Sequence, residues 1–178
     1  RSGGTAASHS PPPSSASAWM TFNGENLVLP VSVCGTTVSN VAVDTGSAKL
    51  VVFGPDPAKC PVSVTAAAQS FPYGSMTLSA VNSTAPVAVT LGAASADASV
   101  PLTLPTVYFA RSCDSGDCPP GLLGLMAKEA GGTFPDHAFS LSFDGSSGGW
   151  LALDPSPPAD AVRIPFDTSY RGFYTIHG

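Results

Sequence analysis

The apolar, β-branched runs of this chain are short, and glycine or proline ends them before they reach helical length. Eighteen glycines and eighteen prolines supply this punctuation, and only 11% of the residues are charged. Long surface helices use few glycines or prolines and many i,i+4 charge pairs, so the balance argues for an all-β fold. "NLVLPVSVCG" and "TTVSNVAVDTG" read as two strands about a Cys34-Gly35-Thr36 turn, and "AKLVVFG" as a third, stopped by Pro55 and Pro57. "SFPYGSMTLSA" reads as a hairpin, "APVAVTLG", "SVPLTL" and "TVYFA" as further strands, and "AFSLSF" with "GWLALDP" as a last hairpin. Short helices are expected only over 122–129 and near 136–139.

With 178 residues the chain is the size of one ordinary domain and can bury a real core. Residues 1–18, "RSGGTAASHSPPPSSASA", are small, polar and proline-rich and cannot bury enough surface to offset ordering entropy. They read as a flexible tail or the remnant of a propeptide, with the packed lobe expected over 19–163. A net charge of −5 and seven scattered Lys and Arg give no basic patch, which excludes a nucleic-acid partner. No apolar stretch approaches the ~18 residues of a membrane span. Arg1 in place of Met suggests an already processed N-terminus.

Cys34, Cys60, Cys113 and Cys118 are an even set without CxxC spacing, and four cysteines allow three pairings. Cys113-Asp-Ser-Gly-Asp-Cys118 reads as a loop closed on itself, which leaves Cys34 to pair with Cys60 around the Asp44 segment. The alternatives are four buried thiols or a zinc site, and His9, His137 and His177 lack ligand spacing for the latter. Asn82-Ser83-Thr84 is a glycosylation sequon. Disulfides and sequon together favour a secretory route, to an extracellular, vacuolar or lysosomal destination.

"VAVDTGSAKLVV", residues 41–52, sets a carboxylate between two apolar runs. A carboxylate can serve as general base on water when it is ionised, positioned and near the bond to be cut. Mounting Asp44 on a tight turn between buried strands supplies the rigidity. Gly46 leaves room for backbone or substrate, while Thr45 and Ser47 offer hydroxyls to orient the carboxylate. A bare Asp-Thr-Gly is more often a hairpin turn whose Asp caps its own backbone, but the flanking apolar runs make this pattern sharper.

The segment "VLPVSVCGTTVSNVAVDTGSAKLVV" resembles the opening of the N-terminal lobe of the pepsin-like aspartic proteases. "PYGSMT" is similar to the family's flap, "PPGLLGLMAKEAGGTFPDHAFSLSF" to its hydrophobic-hydrophobic-Gly segment, helix and following strand, and "GGWLALDPSP" to its Gly-Gly hairpin. The four elements come in the family's order over residues 19–178. The resemblance implies half of a bilobal, barrel-like β fold with one or two short helices. It implies peptide-bond hydrolysis, with Asp44 as one of two carboxylates holding a water. Thr45 would bond across to the other lobe, Ser47 would bond Asp44's outer oxygen, and Tyr73, Gly74 and Ser75 would close over a peptide substrate. No cofactor and no metal are implied. Two departures stand out: Val51 occupies a position where the family often has Trp, and no second glycine soon follows Gly74.

The second aspartate is not where a quick reading finds it. Asp167-Thr168-Ser169 comes before a second lobe's opening strands could form, and residues 164–178 read as the linker and first strand of that lobe. The partner expected is therefore a C-terminal lobe, on a separate chain or a lost segment. A homodimer giving two copies of Asp44, as in retroviral proteases, and a catalytically silent binding protein, as among plant xylanase inhibitors of this fold, are the alternatives. Gly145-Ser146-Ser147-Gly148-Gly149 fits a nucleophile elbow but joins two strands rather than a strand and a helix. Asp114 and Asp117 lack the frame of a calcium loop.

Overall fold

The computed structural model describes residues 16–154 apart from 74, 93–98, 116–117, 127–133, 135–137 and 145–146. Twelve strands carry it: β1 (Ala16–Phe22), β2 (Leu27–Val33), β3 (Thr36–Asp44), β4 (Leu50–Phe53), β5 (Gln69–Tyr73) and β6 (Met76–Asn82). The second half holds β7 (Val87–Gly92), β8 (Ser99–Leu104), β9 (Tyr108–Cys113), β10 (Gly121–Gly124), β11 (Phe139–Asp144) and β12 (Gly148–Leu153). They pair in the order β11-β12-β1-β2-β3-β10-β4-β9-β6-β5, with β7 bonded to β2 and to β8. The chain is all-β, as its punctuation predicts.

The helical expectations fare differently. Among the described residues the helical element is a single 3-10 turn, Pro57–Lys59, started by the Asp56 carboxylate accepting from the Ala58 N–H at 3.0 Å. Residues 121–124, which overlap the expected helix over 122–129, form β10 instead, and Gly121 to Leu125 are all buried. A short apolar run wholly buried on both sides has no periodicity to separate strand from helix. The run here is bonded on both edges, parallel to β3 and antiparallel to β4. Of the helix expected near 136–139, Phe139 opens β11 instead, while 127–133 and 135–137 lie outside the described residues, as does everything from 155 onward, Asp167 and the linker included. The lobe starts earlier than expected: β1 begins at Ala16, and Ser17 and Ala18 are buried.

Strands β2 and β3 meet through a two-residue turn in which Cys34 and Gly35 both have positive φ, 52° and 75°. Such a turn matches the strands' right-handed twist, and glycine adopts it at no steric cost. Further along the pair, β3 carries one residue more than β2. Val31 pairs with Val38 but Leu29 with Val41, and Asn40 takes the left-handed conformation with φ 58°. Pro30, which has no N–H to give a ladder, stands opposite this bulge. There β2 also changes its second neighbour, from β1 at Leu27 and Val28 to β7 from Val31 onward.

The bulge sets which way Asp44 faces. Val38 and Val41 are three residues apart yet both lie in the main core, with Leu29, Val31, Leu50, Val52, Phe109 and Leu123. Strict alternation would have sent them to opposite faces. From Val41 alternation resumes: Val43 packs on the main core, Ala42 on a second, smaller cluster around Val51, Leu78 and Leu122. Asp44 shares its face with Ala42. Central strands β4 and β10 are thus buried on both sides, with Val52 and Leu123 in one cluster and Val51 and Leu122 in the other.

Two disulfides form, Cys34–Cys60 and Cys113–Cys118, with Cα separations of 4.7 and 5.8 Å. The first closes a loop of 26 residues that contains β3 and β4, the second one of 5. Loop-closure entropy then assigns about 3.5 kcal/mol to the first bridge and about 2 kcal/mol to the second. Cys34→Ala/Cys60→Ala is expected to lower the unfolding free energy by more than the Cys113→Ala/Cys118→Ala pair does, measured by denaturant titration of each variant.

Candidate functional site

Asp44 is the last residue of β3, and the loop behind it is tied to β10 by three backbone bonds. Leu125 N–H donates to the Asp44 carbonyl at 2.8 Å, Met126 N–H to Ser47 at 2.9 Å, and Gly124 N–H to Lys49 at 3.0 Å. The register Gly124 opposite Asp44 makes this possible. A side chain at Gly124 would put its Cβ on the Ser47 carbonyl and within 2.5 Å of the Lys49 nitrogen, so the loop and β10 approach this closely because the residue is glycine. The Asp44 side chain adds a local bond, Oδ1 accepting from the Gly46 N–H at 2.7 Å. That Asx turn is the ordinary use of an Asp-Thr-Gly. Here the carboxylate does more, because it also lines a cavity.

The cavity, about 600 Å³, is bounded by the Asp44 loop, by β4 and β10 through Val51 and Leu122, and by the β5–β6 hairpin through Phe71, Tyr73, Ser75 and Met76. Tyr73 also lines it, near enough to Asp44 for the carboxylate's charge to act on the phenol. Burial pushes the phenol's pKa up, and the nearby Asp44 carboxylate pushes it further in the same direction. Tyr73 therefore stays protonated through the acid and neutral range.

The hairpin is anchored close to its tip. Asp114, in the Cys113–Cys118 loop, accepts from the Thr77 N–H through Oδ1 at 2.7 Å, and its own N–H donates to the Thr77 carbonyl at 3.1 Å. The Thr77 backbone bond is the largest cause holding this exposed carboxyl below its usual range. Because the folded value is the lower one, the anchor is at full strength above the unfolded value of about 3.9 and is lost as pH falls from there through the folded value. Asp114→Ala is expected to speed hydrogen exchange of the Thr77 amide about two- to fivefold at pH 5. In the wild type the same loss should be approached only as pH falls below the unfolded value of about 3.9 and on through the lower folded one.

The residues singled out in the sequence take these places. Asp44, Gly46, Ser47, Tyr73 and Ser75 meet at one cavity, whereas Thr45 is exposed beside it. Ser47 does not make the bond to Asp44 that the resemblance implied: its Oγ is buried without a hydrogen-bond partner. Gly74 lies outside the described residues. Asn82 sits far along β6, half-buried, its Oδ1 accepting from Gln69 Nε2 at 3.3 Å and its Nδ2 donating to the Ser83 carbonyl at 3.2 Å. Sequence reading passed over Lys49, Phe71, Leu122 and Met126, all of which line the cavity. For Lys49 a signal existed: a lone cation inside "SAKLVV", in a chain with so few charges. No helix among the described residues is long and apolar enough to cross a membrane. No protein-family model matches this chain, and no curated protein does so either.

Proposed function

We propose that this chain is the N-terminal lobe of a pepsin-like aspartic endopeptidase and that Asp44 is one of its two catalytic carboxylates. The observation that carries the reading is the cavity-facing carboxylate itself. It ends a strand, its loop is held by three backbone bonds from Gly124, Leu125 and Met126, and Tyr73 of the β5–β6 hairpin lines the same cavity of about 600 Å³, near enough to feel its charge. A merely structural Asx turn needs the Gly46 bond alone.

In this reading a facing lobe brings a second carboxylate to within ~3 Å of Asp44. Two such groups cannot both ionise, so they share a proton. The ionised member takes a proton from a bound water, and the oxygen attacks the peptide carbonyl. The protonated member gives its proton to the carbonyl oxygen, and the tetrahedral species then collapses with protonation of the leaving nitrogen. The pair titrates as one unit, which places activity in acid. Tyr73 would close over the peptide as substrate enters. Exposed Thr45 beside the cavity and exposed Phe143 on the edge strand β11 are surfaces such a lobe would cover.

A secretory route accompanies the reading, since two disulfides persist in oxidising compartments. A glycan on Asn82 would be added before folding, because the folded chain engages both ends of that side-chain amide. The test is peptide hydrolysis by the whole protein followed from pH 3 to 7. An acid optimum that Asp44→Asn abolishes supports the reading. Hydrolysis that rises toward neutral pH and survives the substitution removes it.

A further inference from the structure

The cavity holds a second charged side chain, and its setting is unusual. Lys49 Nζ lies 4.4 Å from the centre of the Tyr108 ring and 4.9 Å from that of Phe71. Those two rings, from β9 and β5, pack edge to face at 5.7 Å. Both distances are within the ~6 Å over which a ring face attracts a cation. The rings hold the ammonium in place, but they supply no lone pair for its three N–H groups. Among the described residues no carboxylate pairs with it, and Asp44 accepts from the Gly46 N–H instead. The same cavity is lined by apolar Val51, Met76, Leu122 and Met126, beside polar Asp44, Ser47 and Ser75.

We propose that Lys49 determines specificity by receiving a carboxylate of the peptide bound in the Asp44 cavity. This rests on the endopeptidase reading for the ligand being a peptide. A cation held by two rings, beside a largely apolar wall and with no carboxylate partner among the described residues, favours a complementary anion over any neutral group. The methylene stem of a glutamate would lie against the apolar wall while its carboxylate meets Nζ. A chain-terminal carboxylate has the same chemistry.

The experiment uses the whole protein near pH 5, where a peptide carboxylate is ionised. Acetylated, amidated peptides that differ by one Glu or Gln, scanned through the positions flanking the cut, form the first arm. Gln peptides ending in a free carboxylate at those positions form the second. At one position the carboxylate form is expected to have about tenfold higher kcat/KM. Lys49→Met, which keeps the stem between the rings, should bring that ratio to about one, and Lys49→Arg should restore it. An advantage in the first arm identifies an acidic side chain, and one confined to the second identifies a chain end. Equal rates for all pairs in the wild type, or a carboxylate advantage that Lys49→Met leaves intact, would overturn the proposal. The same labelled peptides titrated onto Asp44→Asn by fluorescence anisotropy report the preference as a ratio of Kd without any hydrolysis. A Lys49-dependent ratio there, with no acid proteolysis in the wild type, would keep the carboxylate site and discard the endopeptidase.

Discussion

Asp44→Asn is expected to lower kcat for acid peptide hydrolysis by ~10⁴-fold or more while leaving the thermal midpoint within a degree or two. The amide is nearly the same size and keeps the Oδ1 that accepts from the Gly46 N–H, so the Asx turn survives. What it lacks is the charge and the basicity to take a proton from water. A second readout needs no substrate. Burial is the first cause of the raised Tyr73 pKa, and the Asp44 charge comes after it. In Asp44→Asn the phenol should therefore titrate lower than in the wild type, yet still above its ordinary value, as followed by ultraviolet absorbance. Asp44→Leu is the contrasting variant, since it removes the turn as well and should lose stability along with activity. An Asn variant that keeps wild-type turnover would take Asp44 out of the chemistry altogether.

Gly124→Ala is expected to damage the fold and the site together. Its Cβ would meet only backbone: the Ser47 carbonyl group, with its carbon at 2.6 Å, and the Lys49 nitrogen at 2.5 Å. A flexible side chain could move aside at a small cost, whereas here the loop has to leave β10. Overpacking a rigid site costs on the order of 3 kcal/mol. The three bonds from Gly124, Leu125 and Met126 that hold the loop would lengthen together. The expected result is a lowered thermal midpoint together with a loss of kcat/KM, because Asp44 moves with its loop. If Gly124→Ala folds with the wild-type midpoint, the close approach of β10 to the Asp44 loop is not what holds the site.

Much of this was legible in the residues. Low charge with frequent Gly and Pro excludes long helices wherever the chain goes, and β-branched runs beside Cys34-Gly35 specify a hairpin through local conformation alone. The Asp-Thr-Gly loop and the Tyr73 hairpin were readable for the same reason: turn chemistry is local. The Leu122-Leu123 run was not, and reads equally as helix or strand. What makes it a strand is the pair of open edges, on β3 and β4, that it fills. Lys49 was passed over because the rings that hold it come from β5 and β9, distant in the chain.

The order of residues settles that a carboxylate stands at the end of a strand, since that follows from neighbours within a few positions. Which face it points to does not follow, because side-chain direction alternates and one additional residue reverses it. The bulge at Asn40 opposite Pro30 makes that choice, bringing Val38 and Val41 to the same core and turning Ala42 and Asp44 toward the cavity. That choice is a property of strand pairing, which exists only once β2, β3 and β10 have come together.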